Sequence, residues 1–209
     1  MRKDLLVGLL LTISLPIFAN SAADRVVDLF QNLTTIQGHF KQSLYNQKNI
    51  LISESSGDFL IQRPDRFIWD VTEPMAQKTV SDGKTLWIYQ PDLEQATKTA
   101  VTQQIGKTPL AILSGSVTAL TNAYIIESDT PNKKNHEVFK FTAKDENGSF
   151  KTVKLFFHDN TLEEMQLFDN LGQQTQIQFI SVQTNQPIKE TVFNFVPPKG
   201  TDIISNSVV

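Results

Sequence analysis

Residues Gly57 to Gln95 read GDFLIQRPDRFIWDVTEPMAQKTVSDGKTLWIYQPDLEQ, and their period decides the fold. Apolar and polar residues alternate over short runs. Asp58 to Arg63 and Phe67 to Val71 are joined by Pro64-Asp65-Arg66, and Lys78 to Ser81 and Thr85 to Tyr89 flank Asp82-Gly83. A period of two marks a strand whose two faces meet different surroundings. Asp-Gly between two such runs is a favoured two-residue hairpin turn. Outward from this stretch, His39 to Leu44 and Asn49 to Ser53 read as weaker strands. His136 to Ala143, Phe150 to His158, Leu162 to Asp169 and Gln173 to Thr184 read as further strands. Their connectors, Asp145-Glu146-Asn147-Gly148, Asp159-Asn160 and Asn170-Leu171-Gly172, carry turn residues. Many strands joined by short turns imply an antiparallel meander, curved or partly closed.

Two segments depart from that period. Ser21 can cap a helix with Asp24 in its first turn, and Ala22, Val26, Leu29, Phe30 and Leu33 form one apolar stripe. Thr108-Pro109-Leu110-Ala111-Ile112-Leu113 starts with a cap residue and a proline at the first helical position, and Ser114-Gly115-Ser116 stops it. Val117, Ala119 and Leu120 suggest another short turn of helix. These pieces are too short to be stable alone and apolar on nearly all sides, so they must cover something.

The amino terminus reads as a secretory signal, residues 1–19. Arg2 and Lys3 precede an apolar run from Leu5 to Phe18, and Ala19 is a small residue in a suitable cleavage position, with Ala22 or Ala23 as alternatives. The competing reading, a membrane anchor, needs roughly 20 apolar residues, more than this run supplies. Residues 20–209 suit one domain with its own core. The net charge of -3 becomes slightly more negative without the leader. That charge offers no electrostatic case for nucleic acid or an anionic lipid surface. The chain has no cysteine, so there is no thiol nucleophile, no cysteine metal site and no lipid-modified cysteine.

Catalytic signals are lacking. His39, His136 and His158 have no partner at metal-ligand spacing and read as structural or surface residues, so no metal or cofactor is expected. Glu94 and Glu163-Glu164 could be imagined as an acid–base pair, but charges at strand ends are usually just solvated. Ser114-Gly115-Ser116 is only a fragment of a nucleophile elbow, and no phosphate loop or dinucleotide fingerprint appears.

The pieces Gly57-Asp58, Arg63-Pro64, Phe67, Trp69, Ser81-Asp82-Gly83-Lys84-Thr85-Leu86-Trp87 and Tyr89 occur in an order and spacing that resembles the outer-membrane lipoprotein carrier protein family (LolA). Phe193-Asn194-Phe195-Val196-Pro197-Pro198-Lys199-Gly200 matches as well, so the resemblance spans residues 20 to 200. Ile68 departs from it, since relatives often place a polar or basic residue there. The tail Thr201 to Val209 has no evident role.

The resemblance implies an incomplete antiparallel β-barrel, mainly β with an N-terminal helix, and short helices forming a lid over an apolar cavity. It implies a periplasmic, non-enzymatic monomer. Such a carrier takes acylated lipoproteins from an inner-membrane lipoprotein-releasing ABC transporter and delivers them to an outer-membrane lipoprotein receptor. The expected cavity residues are Phe59, Ile61, Phe67, Trp69, Trp87, Phe139 and Phe141, although core packing would also explain aromatics there. The expected lid residues are Leu110, Ile112 and Leu113. Arg63 follows Phe59 and Ile61 on an alternating strand, so the three should share a face. The resemblance supplies a role for it, a latch donating to lid carbonyls; the alternative is a strand-end arginine pointing into water. Two rival functions stay open: a lipid- or peptide-binding sensor on the same architecture, and an exported hydrolase with a lidded lipid site.

Overall fold

The computed structural model describes residues 21–101, 109–129, 131, 133–145 and 148–205. The expected signal at residues 1–19 and the expected helix cap Thr108 lie outside the described residues, as do positions 206–209 of the tail. Helix α1 (Ala22–Gln31) begins as the sequence suggests. The Ser21 hydroxyl accepts from the Asp24 amide at 3.1 Å, and the Asp24 carboxylate accepts from the Ser21 amide at 3.2 Å. This reciprocal cap satisfies two orphan donors and contributes about 1 kcal/mol.

The strands are β1 (Thr35–Tyr45), β2 (Leu51–Gln62), β3 (Arg66–Glu73), β4 (Gln77–Asp82), β5 (Thr85–Gln90), β6 (Gln95–Ala100), β7 (Tyr124–Ser128), β8 (His136–Ala143), β9 (Phe150–His158), β10 (Thr161–Asp169), β11 (Gln174–Thr184) and β12 (Asp202–Ser205). Two short helices, α2 (Pro109–Ser114) and α3 (Val117–Ala123), fall between β6 and β7. The runs expected at Asn49 to Ser53 and Asp58 to Arg63 merge into the single strand β2, which ends one residue before Arg63. The strands form one 12-stranded sheet in the order β12-β6-β5-β4-β3-β2-β1-β11-β10-β9-β8-β7. Neighbours are antiparallel except β12, which lies parallel to β6. Among the described residues the end strands β7 and β12 do not pair with each other, so the barrel is incomplete. β6 and β7 lie near opposite ends of the sheet, and α2 and α3 fall between them along the chain.

Alternation sorts each strand into an inner and an outer face. Phe59 and Ile61 on β2, Phe67 and Trp69 on β3, Phe139 and Phe141 on β8, and Val153, Leu155 and Phe157 on β9 all point into one buried cluster. Each such side chain contributes roughly 1.5–3 kcal/mol by leaving water. Gly57 lets two of the rings meet. It is paired with Phe40 across β1–β2, while Trp69 is paired with its neighbour Phe59 across β2–β3. The Phe40 and Trp69 rings stack at 3.6 Å between centroids, reaching across the intervening strand where glycine has no side chain. A Cβ at Gly57 would stand 1.9 Å from the Asp70 carbonyl oxygen, so β2 and β3 approach here as only glycine permits.

On the outer face the chain end makes a smaller cover. A 3-10 turn, Glu190–Phe193, contacts β3 and β4, and an Arg66–Glu190 ion pair at 2.8 Å ties it down. Asp202 to Ser205 of the tail then adds β12 alongside β6, starting with a bond from the Asp202 amide to the Glu94 carbonyl at 2.8 Å.

Candidate functional site

The two short helices lie over the inner face. Leu110, Ile112 and Leu113 are 5%, 1% and 1% exposed and belong to the same buried cluster as the strand aromatics. In α3, the Ser116 hydroxyl caps the first turn by accepting from the Ala119 amide at 3.2 Å, and Leu120 is buried. Phe59 packs edge-on against Phe179 at 5.1 Å and lies 6.0 Å from Trp69. Tyr124, Phe141, Phe139, Phe157 and Phe30 continue the aromatic lining in edge-to-face pairs about 6 Å apart. The apolar side chains of the lid thus occupy the space these rings enclose.

The turn between β2 and β3 holds the lid down. Arg63 Nη1 donates to the Leu113 carbonyl at 2.7 Å, and Nη2 donates to the Gly115 carbonyl. The carbonyl between them, on Ser114, accepts from the Asp65 backbone amide at 2.9 Å. Three successive carbonyls at the end of α2 therefore find donors on a single turn. They are the orphan acceptors that a helix end leaves. The turn has its own supports: the Arg63 amide donates to the Thr34 carbonyl at 2.9 Å, and the buried Ser81 hydroxyl donates to the Asp65 carbonyl at 2.6 Å. Asp65 takes a positive φ of 61°, and the Arg63-Pro64 peptide is cis.

Arg63 is a cation in largely apolar company. Its guanidinium carbon lies 4.4 Å from the centroid of the Phe30 ring, a cation–π distance. Burial lowers its pKa to about 10, opposed by a weaker pull from the Asp65 carboxylate. Burial also raises the Asp65 carboxyl above its ordinary value, with Arg63 drawing it partly back. Arg63 therefore stays charged at neutral pH while carrying a desolvation cost that its bonds to the lid, the Phe30 face and the Asp65 carboxylate offset.

A family model described as "Outer membrane lipoprotein carrier protein LolA" matches residues 31–196 of this chain. The chain belongs to the LolA family. The outer-membrane lipoprotein carrier protein of Hahella chejuensis is 36% identical over 187 residues, covering 89% of this chain and 90% of that one. That of Neisseria meningitidis serogroup C is 36% identical over 196 residues, covering 94% and 93%. That of Legionella pneumophila strain Corby is 33% identical over 196 residues, covering 94% and 96%. Among solved structures, an uncharacterized conserved protein from Thermus thermophilus superposes with a TM-score of 0.53 at 11% identity, covering 88% of this chain and 99% of that one. MucB does so with 0.51 at 15% identity, covering 88% and 65%. At such identities these two share the fold and nothing more.

Within this LolA fold, Arg63 and the buried residues Phe59, Ile61, Phe67, Trp69, Phe139, Phe141, Leu110, Ile112 and Leu113 converge on one interior. Trp87 departs from the expected cavity set. Leu86 takes the inward position of β5, and Trp87 points outward, 5.9 Å from Phe195 and under the Lys98 ammonium at 5.3 Å. Ile68 shares that outer face, paired across the sheet with Leu60 and Val80. Both strands β3 and β5 carry apolar residues on either side, so alternation alone could not tell inside from outside.

Some lining residues were not singled out in the sequence. Phe40 sits on a weakly patterned strand, Phe157 adjoins the outward Phe156, and Phe30 belongs to α1; all three are buried in the LolA interior. The Asp65 amide has no side-chain signature at all. The histidines also regroup. His39 meets Asp58 on an exposed stretch of β1–β2, whereas His136 and His158 are cross-strand partners whose rings stack at 4.3 Å.

Proposed function

We propose that this LolA-family chain is a periplasmic carrier that shields the acyl chains of lipoproteins in its aromatic interior and exchanges them for its own lid. In this reading residues 1–19 direct export, an inner-membrane ABC transporter loads the carrier, and an outer-membrane receptor unloads it. The observation that carries the proposal is the pairing of opposites at the mouth. Leu110, Ile112 and Leu113 fill the apolar interior, and a half-buried arginine fastens that filling through the carbonyls of Leu113 and Gly115. A core that needed no opening would gain nothing from a desolvated cation there.

The energetics favour such an arrangement. Each acyl methylene gains ~0.8 kcal/mol on leaving water, so a carrier with an empty apolar cavity would hold several chains too tightly to release them. A lid that competes for the same surface offsets part of that gain. Its charge-assisted hydrogen bonds, roughly 1.5–3 kcal/mol each, set how far. Handover then requires no nucleotide on the carrier; it requires a receptor whose site is slightly better than the unlatched interior.

The test is native mass spectrometry of the protein purified gently from an expressing Gram-negative cell envelope. Co-purified intact lipoprotein of one or more acylated species is expected. A bound peptide without acyl chains would favour a sensor on the same fold, and turnover of an ester substrate would favour a hydrolase; either result overturns the carrier reading.

A further inference from the structure

We propose that His136, His158 and Glu163 form a divalent transition-metal site on the outer face of β8, β9 and β10, with zinc as its best-suited occupant. The candidate ligand atoms of the three side chains all lie within 4.8 Å of one another. Nothing in the carrier reading uses them, since the interior and the lid lie on the opposite face of the sheet.

Two features of the fold favour a metal here; the first is that register and a bulge bring the donors together. His136 and His158 are directly opposed in the β8–β9 register, which stacks their rings at 4.3 Å. The β9–β10 ladder shifts register between Leu162 and Glu164, so Glu163 is the extra residue of a bulge. The burial pattern shows the same slip: Leu162 and Met165, three apart, are both buried. A bulge of this kind re-aims a side chain, and here it turns Glu163 back toward His158, whose Nδ1 lies 3.2 Å from the Glu163 carboxylate. Without the bulge, regular alternation from Met165 would place position 163 on the inner face.

The second feature is ring orientation. His136 Nδ1 lies 2.9 Å from the Lys134 carbonyl oxygen. A carbonyl only accepts, so that nitrogen must carry the hydrogen, and the neutral ring then offers its Nε2 lone pair. This is the usual support of a metal-binding histidine, its other nitrogen held by a backbone oxygen. Water would complete the fourth position.

Two imidazoles and a carboxylate suit zinc, copper(II) or nickel(II) and disfavour calcium and magnesium, which take oxygen donors. Zinc bonds of roughly 2.0–2.2 Å place tetrahedral ligand atoms about 3.3 Å apart. Reaching that from 4.8 Å requires the two half-exposed rings to turn out of their stack, since an imidazole lone pair lies in the ring plane. The bound ion would clamp β8, β9 and β10 at the end of the sheet where the Arg25–Glu137 pair, at 2.7 Å, and the Arg25–Asn160 bond, at 2.6 Å, already fasten α1.

The test is calorimetric titration of the metal-free protein, made without a histidine tag, with zinc chloride. One ion per chain is expected, with affinity falling ~10-fold or more in His136→Gln and in His158→Gln and unchanged in His39→Gln. At about a hundredfold excess over the dissociation constant, the melting temperature of the parent should rise by roughly 5–10 °C. Nitrogen-15 shifts of the histidine rings in the parent protein provide a reading that does not depend on any variant's folding. His136 and His158 should move on zinc addition, and His39 should not. Absence of saturable binding overturns the proposal, as does binding that follows His39 or ring shifts that spare His136 and His158.

Discussion

The Arg63 guanidinium donates to the Leu113 carbonyl at 2.7 Å, joining the turn after β2 to the last residues of a helix fifty positions further along the chain. That bond, its companion to Gly115 and the Asp65 amide bond to Ser114 fasten the end of α2 to this turn, and in the proposed carrier they hold the closed form of a lid that must also open. Removing the donors should therefore shift the lid rather than unfold the sheet. With about 2 kcal/mol for a charged hydrogen bond, Arg63→Leu shifts the lid equilibrium ~30-fold toward open. It also removes the cost of holding a cation beside acyl chains. Loaded protein should accumulate and its transfer to receptor-bearing liposomes should slow. Arg63→Lys should fall between, because lysine keeps the charge without the planar fork of donors. Unloading of Arg63→Leu at the parental rate would show that the bonds seen here do not govern release.

Arg63 is not a pH switch in the working range. Burial lowers its pKa in the closed form to about 10, below the ordinary guanidinium value, so both closed and open forms are protonated below pH 9. Above about 10 the open form, with its higher ordinary pKa, binds more protons, so rising pH there favours closure. Lid opening measured by a fluorophore pair on α2 and β3 should be flat from pH 6 to 9. A transition within that range that vanishes in Arg63→Leu would contradict this assignment.

Ser81 supports the latch from behind. Its buried hydroxyl donates to the Asp65 carbonyl and accepts from the Gly83 amide at 3.2 Å. Ser81→Ala leaves both groups short of a partner, at a cost of about 1–2 kcal/mol. The melting temperature should fall by roughly 2–6 °C, and lid opening should increase even though Arg63 is intact. An unchanged lid equilibrium would mean that the turn keeps its shape without this hydroxyl.

Gly57→Ala should be far more damaging than a surface glycine substitution. The new methyl would meet the Asp70 carbonyl at 1.9 Å, and the β2–β3 pairing must spread to admit it. A loss of about 3 kcal/mol or more is expected, at the upper end of overpacking effects, together with disruption of the Phe40–Trp69 stack. Tryptophan fluorescence and thermal melting will report both. Gly200→Ala, with nothing within 4 Å of its added carbon, is the useful contrast; only its φ of +95° is unfavourable.

Trp87 separates inner from outer face. A photo-crosslinking residue at Phe59 or Leu113 should capture bound acyl chains, whereas one at Trp87 should not. Trp87→Ala should lower stability by about 1–2 kcal/mol through lost contact with Phe195 while leaving lipoprotein capture intact. Equal crosslinking from Trp87 and Phe59 would mean that the outer face also meets lipid.

Much of this architecture was legible along the chain because it depends on local chemistry. The Ser21–Asp24 cap, the Asp82-Gly83 hairpin, the period of two through Phe59, Ile61, Phe67 and Trp69, and the short apolar helix after Pro109 are each set by neighbours a few residues away. Strands β6 and β12 were not legible for the same reason. Gln95 to Ala100 is polar and threonine-rich and becomes a strand because β5 supplies a pairing edge, and Asp202 to Ser205 is very short and adds to the edge that β6 then offers. What tertiary structure alone decided is which face is inside and which distant groups meet. Ile68, Val80 and Trp87 are as apolar as the lining residues, and only the curvature of the sheet and the cover provided by Phe193 and Phe195 assign them outward. His136 and His158 stand apart in sequence and come together through strand register, while Glu163 joins them through a bulge. The Asp65 amide holds Ser114 with a group every residue but proline possesses. Sequence specifies a side chain's chemistry and its local period. The partner of that side chain is set by register, bulges and closure, which arise when the whole sheet packs around its core.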